Sequence, residues 1–599
     1  MSIAQDDLFL AIKNAIEHSH LSFIFVYLKK KHTMRNRISL SLLGMMFFVG
    51  LMAQQPGKYR VTFTDKSNSP YSIANPLAFL SQRAIDRRIL HGVPVTMQDI
   101  PVNPAYINGV KSTGVEVINR SKWFNSAIVT ISSTPQYTLI SALPYVSSVE
   151  YVAPLPLPFA QSRPQDKLTP IDMKPLARVN PNLSDKPSVT KIQPSVIDYG
   201  MAANQASMIA VDLLHNAGYT GQGKIIAVID AGFTNANTLT VFDSLYNSGR
   251  ILGAVDFAEN GANVYSAHSH GTMVLSIMGG NIPTQMVGTA PHAHYWLLRS
   301  EIGSSEYIVE EDNWVAAAEF ADSAGVDIIN SSLGYTVYYD ALQSHTYASM
   351  DGNTTRVTIG ADIAASKGMI VVNSAGNEGS SSWGYIGAPA DGDSVLAIGA
   401  VDYAGTYVSF SSRGPSYDGR IKPDVAAQGS GTTIADIWGN ISAGSGTSFS
   451  SPVIAGAVAC LWQAVPNMTN MEVVQAIRQS AHKYANPDTL VGYGIPNFAA
   501  AATILGADAH QEREIPFTVY PNPFNTSITW VWHGSEVDGL SVTLYDMMGR
   551  MNYSRQTGRI SSGQSVSLDG IEDLAQGMYL LQIRSSDGKK HSLRVLKGL

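Results

Sequence analysis

Three short blocks of this sequence supply an acid, an imidazole and a hydroxyl, the groups needed for nucleophilic acyl transfer. Asp230 closes the apolar run Ile225 to Ile229 and is followed by Ala231-Gly232, so a carboxylate stands where a buried strand emerges. His270 stands in His268-Ser269-His270-Gly271-Thr272, directly before the apolar segment Met273 to Met278. Ser448 lies in Gly444-Ser445-Gly446-Thr447-Ser448-Phe449-Ser450-Ser451-Pro452, ahead of the wholly apolar stretch Val453 to Trp462. A serine hydroxyl is a weak nucleophile until a histidine takes its proton, and an acid must then hold the imidazole in the right tautomer. Taken singly, each residue has a plainer reading: a strand-end turn former, a histidine at a helix start, a capping serine. The apolar stretch after Ser448 predicts a buried central helix, with Pro452 in its first turn and Ser448 at its N-terminus, where the backbone dipole favours developing negative charge.

As an ordered set, the blocks match Asp-x-Gly, His-Gly-Thr and Gly-Thr-Ser-x-x-Ser-Pro, and in this the chain resembles the subtilisin-like serine proteases. The resemblance spans about 300 residues of a domain-sized region. It includes Asn330-Ser331-Ser332-Leu333-Gly334, Ser374-Ala375-Gly376-Asn377-Glu378-Gly379, Phe410-Ser411-Ser412-Arg413-Gly414-Pro415 and Lys422-Pro423-Asp424-Val425. The order acid, His, Ser separates it from chymotrypsin-like enzymes and from α/β-hydrolases, whose Gly-x-Ser-x-Gly elbow is absent at Ser448. The resemblance implies that Asp230, His270 and Ser448 are catalytic and that Asn377 donates its amide to the oxyanion beside the Ser448 backbone N–H. It also implies that Ser332, Leu333 and Gly334, with Ala375 and Gly376, wall the substrate pocket, whose residues are apolar or uncharged and predict a preference for such side chains. The sequence departs from the family pattern at Ala231, Met273, Leu275, Gln428 and Phe449-Ser450, which leaves the catalytic groups in place. No cofactor is implied; the family often carries structural calcium, but no Asp-x-Asp-x-Asp-Gly loop is present.

The elements that must position these residues follow from periodicity. Unbroken apolar strands are predicted at Lys224 to Asp230, Val326 to Ser332, Met369 to Asn373 and Val395 to Val401, with helices at Met273 to Met278, Trp314 to Ala324 and Ile359 to Lys367. Together they predict an α/β fold, a doubly wound parallel sheet covered on both faces, with the active site outside the carboxyl ends of its strands. Upstream, β-like runs at Tyr59 to Thr64, Val115 to Arg120, Ala127 to Ile131 and Val149 to Ala153, with a helix from Pro76 to His91, predict an α+β unit. Nine prolines between Pro154 and Pro194 mark a linker. Downstream, Tyr520-Pro521-Asn522-Pro523, Tyr545-Asp546-Met547-Met548-Gly549-Arg550 and Gly577-Met578-Tyr579 punctuate alternating strands that predict a small all-β sandwich. These three blocks resemble the C-terminal sorting domain of cargo exported by the type IX secretion system of Bacteroidota.

Met34-Arg35-Asn36-Arg37, the apolar run Ile38 to Met52 and Ala53-Gln54 follow the order of a secretory signal, which predicts translation from Met34 and cleavage near Ala53. The expected organisation is a signal region to 53, a propeptide at 54–153, a linker at 154–198, a catalytic domain at 199–505, a short linker at 506–515 and the sorting domain at 516–599. The 599 residues carry 40 basic and 47 acidic side chains, a net charge of −7, which argues against nucleic acid as partner. A single cysteine, Cys460, excludes an intramolecular disulfide and a cysteine metal cluster. No apolar run is long enough for a transmembrane anchor. The expected protein is an exported serine endopeptidase made as a zymogen, at the cell surface or outside the cell, with protein or peptide substrates and the type IX machinery as partners. The competing expectation is a catalytically silent surface adhesin on the same fold.

Overall fold

The computed structural model describes residues 55–155, 173–175, 197–259, 261, 263–510, 517–546, 550–585 and 590–598. The expected signal region and most of the proline-rich linker lie outside the described residues.

In the amino-terminal unit, strands β1 (Gly57–Phe63), β2 (Glu116–Ser121), β3 (Ser126–Ile131) and β4 (Val146–Pro154) form an antiparallel sheet in the order β2-β3-β1-β4. The helix expected from Pro76 is divided: a 3₁₀ turn covers Pro76–Ala78, and helix α1 (Gln82–His91) starts afresh where the Ser81 side chain accepts the Ala84 N–H. One linker piece, β5 (Met173–Pro175), is a strand.

The central unit is a seven-stranded parallel sheet. Its strands are β6 (Ile225–Asp230), β7 (Ile251–Asp256), β8 (His294–Arg299), β9 (Ile328–Ser331), β10 (Ile370–Ser374), β11 (Val395–Val401) and β12 (Val425–Gln428), in the order β12-β11-β10-β9-β6-β8-β7. Strand β6 is apolar at every position before Asp230 because both its faces are covered. Ile226 and Val228 join a layer with Val274, Leu275 and Val458, while Ala227 and Ile229 join one with Trp314 and Ala318. These layers come from helices α2 (His270–Gly279), α3 (Val309–Ala324), α4 (Arg356–Ser366) and α5 (Thr447–Ala464). The sequence pattern missed β7, β8 and β12 as strands: β7 is a half-buried edge strand interrupted by Gly253, β8 has polar residues at both ends, and β12 is a four-residue piece of small side chains. A separate antiparallel sheet holds β13 (Thr432–Ala435) and β14 (Ile441–Gly444), with β5 on the outer edge of β14.

Helix α5 is buried from Thr447 to Trp462, as its composition requires, but it corrects the placing of Pro452. The helix begins at Thr447, so Pro452 is its sixth residue and lies beyond the first turn. Its missing N–H would have bonded the Ser448 carbonyl. The Ser332 hydroxyl donates to that carbonyl instead, at 2.9 Å.

Past the central unit, helix Phe498–His510 extends into the region expected to be a linker from 506. Beyond it, one small antiparallel sheet has Phe517–Tyr520, Ile528–Trp532 and Ser565–Leu568. A second has Met551–Gln556, Leu540–Asp546, Gly577–Ser585 and Lys590–Lys597, and the two share a core of Phe524, Trp530, Val542 and Leu581. This is the expected all-β sandwich.

Candidate active site

Asp230 is the last residue of β6, central in the sheet, and His270 is the first residue of α2. The turn after β6 and the start of α2 approach closely: Gly271 N–H bonds the Gly232 carbonyl at 3.0 Å, and a Cβ on Gly271 would stand 2.4 Å from that oxygen. This contact is why the block needs glycine after His270. It brings the His270 Nδ1 within 2.9 Å of both carboxylate oxygens of Asp230. The carboxylate is itself held by the Ala231 N–H, at 2.7 Å. Both side chains are buried. An Asp accepting from Nδ1–H leaves Nε2 as the basic nitrogen.

Ser448 is the second residue of α5, after Gly446 and Thr447. Phe449 stacks on the His270 ring with centroids 6.2 Å apart, which ties the start of α5 to the imidazole. The Ser448 hydroxyl donates to the Ser332 carbonyl at 3.4 Å, and no hydrogen bond joins it to His270 among the described residues. Such bonds are often long or misaligned without substrate and tighten when it binds.

Asn377 is held by its oxygen. Oδ1 accepts from the Thr447 N–H at 2.8 Å and from the Thr447 hydroxyl at 2.9 Å, which leaves Nδ2 as the group that can donate into the cleft. Ser332, Leu333, Gly334, Gly376, Asn377 and Ser448 line one pocket. Ala375 is buried behind that lining, packed with Ile386, Ala390 and Ala397. Gly376 has φ +110, and a Cβ there would meet Glu378 Oε2 at 2.5 Å and Ser412 Oγ at 2.7 Å. Sequence reasoning missed three contributors. Thr447 orients Asn377, Phe449 packs on the imidazole, and Glu378 adds a carboxylate, bonded by the Ser412 hydroxyl at 2.9 Å, to a wall expected to be uncharged. Glu378 stands beside Asn377 in the quoted block, so its charge was legible; its direction was not. No group of three or more His, Cys, Asp or Glu able to hold a metal ion stands among the described residues.

The profile of the Subtilase family matches residues 221–494. Subtilisin E of Bacillus subtilis (strain 168) is 32% identical over 329 residues, which cover 53% of this chain and 77% of that protein. The chain belongs to the subtilase family. Subtilisin of Bacillus pumilus is also 32% identical, over 302 residues covering 49% of this subtilase and 97% of the relative. A crystal structure of MycP1 from Mycobacterium smegmatis aligns at 22% identity with a TM-score of 0.39, covering 56% of this chain and 89% of that one, which is too distant to bear on the chemistry. The profile of the peptidase S8 propeptide domain of Bacteroidota matches residues 58–168, and that of a secretion system C-terminal sorting domain matches residues 518–597. This subtilase is therefore a subtilisin-like serine endopeptidase, made as a zymogen and exported to the cell surface or the extracellular space. None of its described helices is long and apolar enough to cross a membrane.

Proposed function

We propose that Asp230, His270 and Ser448 form the catalytic triad and that Asn377 is the oxyanion donor. The observation that carries this is the Asp230–His270 pair, 2.9 Å through both carboxylate oxygens, facing the start of the helix that bears Ser448. Rotation of the Ser448 hydroxyl from the Ser332 carbonyl towards His270 readies the nucleophile. Ser448 Oγ attacks the scissile carbonyl as His270 Nε2 takes its proton, while Asp230 stabilises the imidazolium. The oxyanion is met by Asn377 Nδ2 and the Ser448 N–H, at a helix N-terminus whose dipole favours it. His270 then protonates the leaving amine as the C–N bond breaks, and water, deprotonated by His270, hydrolyses the acyl-enzyme.

The substrates are extended peptides, with Ser332 to Gly334 and Gly376 walling the site of the side chain before the scissile bond; with the Glu378 carboxylate on the same wall, it favours large uncharged or basic groups over acidic ones there. Residues 54–153 act as the inhibitory propeptide, 154–198 as a linker, 199–505 with the rest of its last helix as the catalytic unit, and 516–599 as the signal read by the type IX machinery. Labelling by a fluorophosphonate tests the triad. Labelling of the matured wild-type enzyme that is abolished by Ser448→Ala supports it, and labelling that persists in Ser448→Ala, or is absent from the matured wild-type enzyme, refutes it.

A further inference from the structure

The linker strand β5 occupies a place that bears on how the site is kept shut. Met173, Lys174 and Pro175 pair antiparallel with Gly444, Ala443 and Ser442 of β14. The other edge of β14 is taken by β13, through Thr433 opposite Ala443, so β5 covers the one edge that an added strand could use. Strand β14 runs towards the nucleophile: Gly444 is four residues before Ser448. Because β5 is antiparallel, its amino end lies opposite the residue nearest Ser448, and the chain then runs away from it. A substrate whose acyl half fills the pocket at Ser332 to Gly334, with its carbonyl at Ser448, continues in that same direction on its leaving-group side. The amino-terminal unit lies elsewhere, with Val152 and Ala153 of β4 packed on Tyr307 and Val309.

We propose that Met173–Pro175 is a second inhibitory element, a tethered strand that blocks β14 against the leaving-group half of substrates. Extended peptides bind sheet edges through backbone hydrogen bonds, so a segment tethered in the same chain competes at high effective concentration. This rests on the reading of Ser448 as nucleophile. Its consequence is that removal of residues 54–153 alone does not complete activation: the fully active enzyme must also have lost Pro175 from its amino end or have released the strand.

The test is a double variant of the full chain, Met173→Pro with Lys174→Pro. Successive N–H groups of a strand point to opposite sides, so two prolines remove whichever amide faces β14. In the Ser448→Ala background, amide exchange of Ile441–Gly444 is expected to rise about tenfold or more. In the active chain, cleavage of a peptide with residues on both sides of the scissile bond is expected to rise about fivefold, while that of a peptide anilide, which has none on the leaving side, changes less than about twofold. Unchanged exchange, an equal effect on both substrates, or full activity on the spanning peptide by an enzyme that begins before Met173 and keeps Ile441–Gly444 protected from exchange would each overturn the proposal. Absence of fluorophosphonate labelling would instead defeat the reading of the site, and exchange would still report whether the strand holds β14.

Discussion

With its oxygen engaged by the Thr447 amide and hydroxyl, Asn377 has only Nδ2 to offer the cleft, and the substitution Asn377→Ala removes two things at once. If the amide meets the oxyanion as charge develops, kcat falls by about 10²–10³ with little change in KM, a magnitude measured on subtilisin itself. If Asn377 only secures the turn before α5, the thermal midpoint drops while the folded fraction keeps its kcat. Kinetics on active-site-titrated variant, taken with its melting curve, separate the two. A second residue-scale prediction concerns the Ser448 carbonyl, which Pro452 deprives of its helix N–H and Ser332 bonds instead. Ser332→Ala should cost about 1 kcal/mol in the wild-type chain. It should cost measurably less beside Pro452→Ala, which supplies the missing N–H, and a double-mutant cycle of denaturation midpoints reads this coupling.

At the scale of elements, the amino-terminal unit is fastened to α3 by charge. Asp322 of α3 is bonded by Arg87 at 2.6 Å, Arg88 at 2.8 Å and Lys122 at 3.0 Å, and all four groups are buried. Asp99 adds a second carboxylate to Arg88, at 2.9 Å, and to Lys367 of the central unit, at 3.3 Å. Burial pushes the Asp322 carboxyl up, but Lys122, Arg88 and Arg87 outweigh it and hold the group well below the ordinary carboxylate range. A carboxyl with a depressed folded pKa contributes stability that is present above its unfolded value of about 3.9 and is lost as pH falls through the folded one. The pair of units should therefore hold across neutral and mildly acidic pH and loosen only in strong acid. Asp322→Ala strands buried cations and should destabilise the Ser448→Ala precursor by about 3–5 kcal/mol, read by denaturant unfolding. A loss below about 1 kcal/mol would mean that water reaches the cluster and screens it.

For the whole molecule, the carboxyl-terminal sandwich has its own core around Trp530 and Leu581, distinct from the two layers that cover the parallel sheet. A unit with a separate core can be removed without exposing its neighbour's interior. Deleting residues 516–599 should abolish arrival at the cell surface while the purified, matured remainder keeps its kcat within about twofold, measured by cell fractionation and peptide hydrolysis. A truncated enzyme that matures but is inactive would show that the sandwich supports the catalytic unit.

Much of this was legible one residue type at a time. The run Ile225 to Ile229 had to be a strand covered on both faces because nothing in it could face water, and the stretch Val453 to Trp462 had to be a buried helix for the same reason. The order of Asp230, His270 and Ser448, with the glycines around them, resembled the subtilisin-like serine proteases before any distance was known, and the chain does belong to the subtilase family. What only the tertiary structure decided concerns partners far apart in the chain. That Ser332 takes the hydrogen bond Pro452 cannot make, that Thr447 turns the amide of Asn377, and that a linker strand lies on β14 are all contacts across 70 or more residues. Periodicity reports which face of an element is buried, because burial depends on each residue's own hydrophobicity; it is silent on which distant group meets a polar atom, because that is set by how the layers pack.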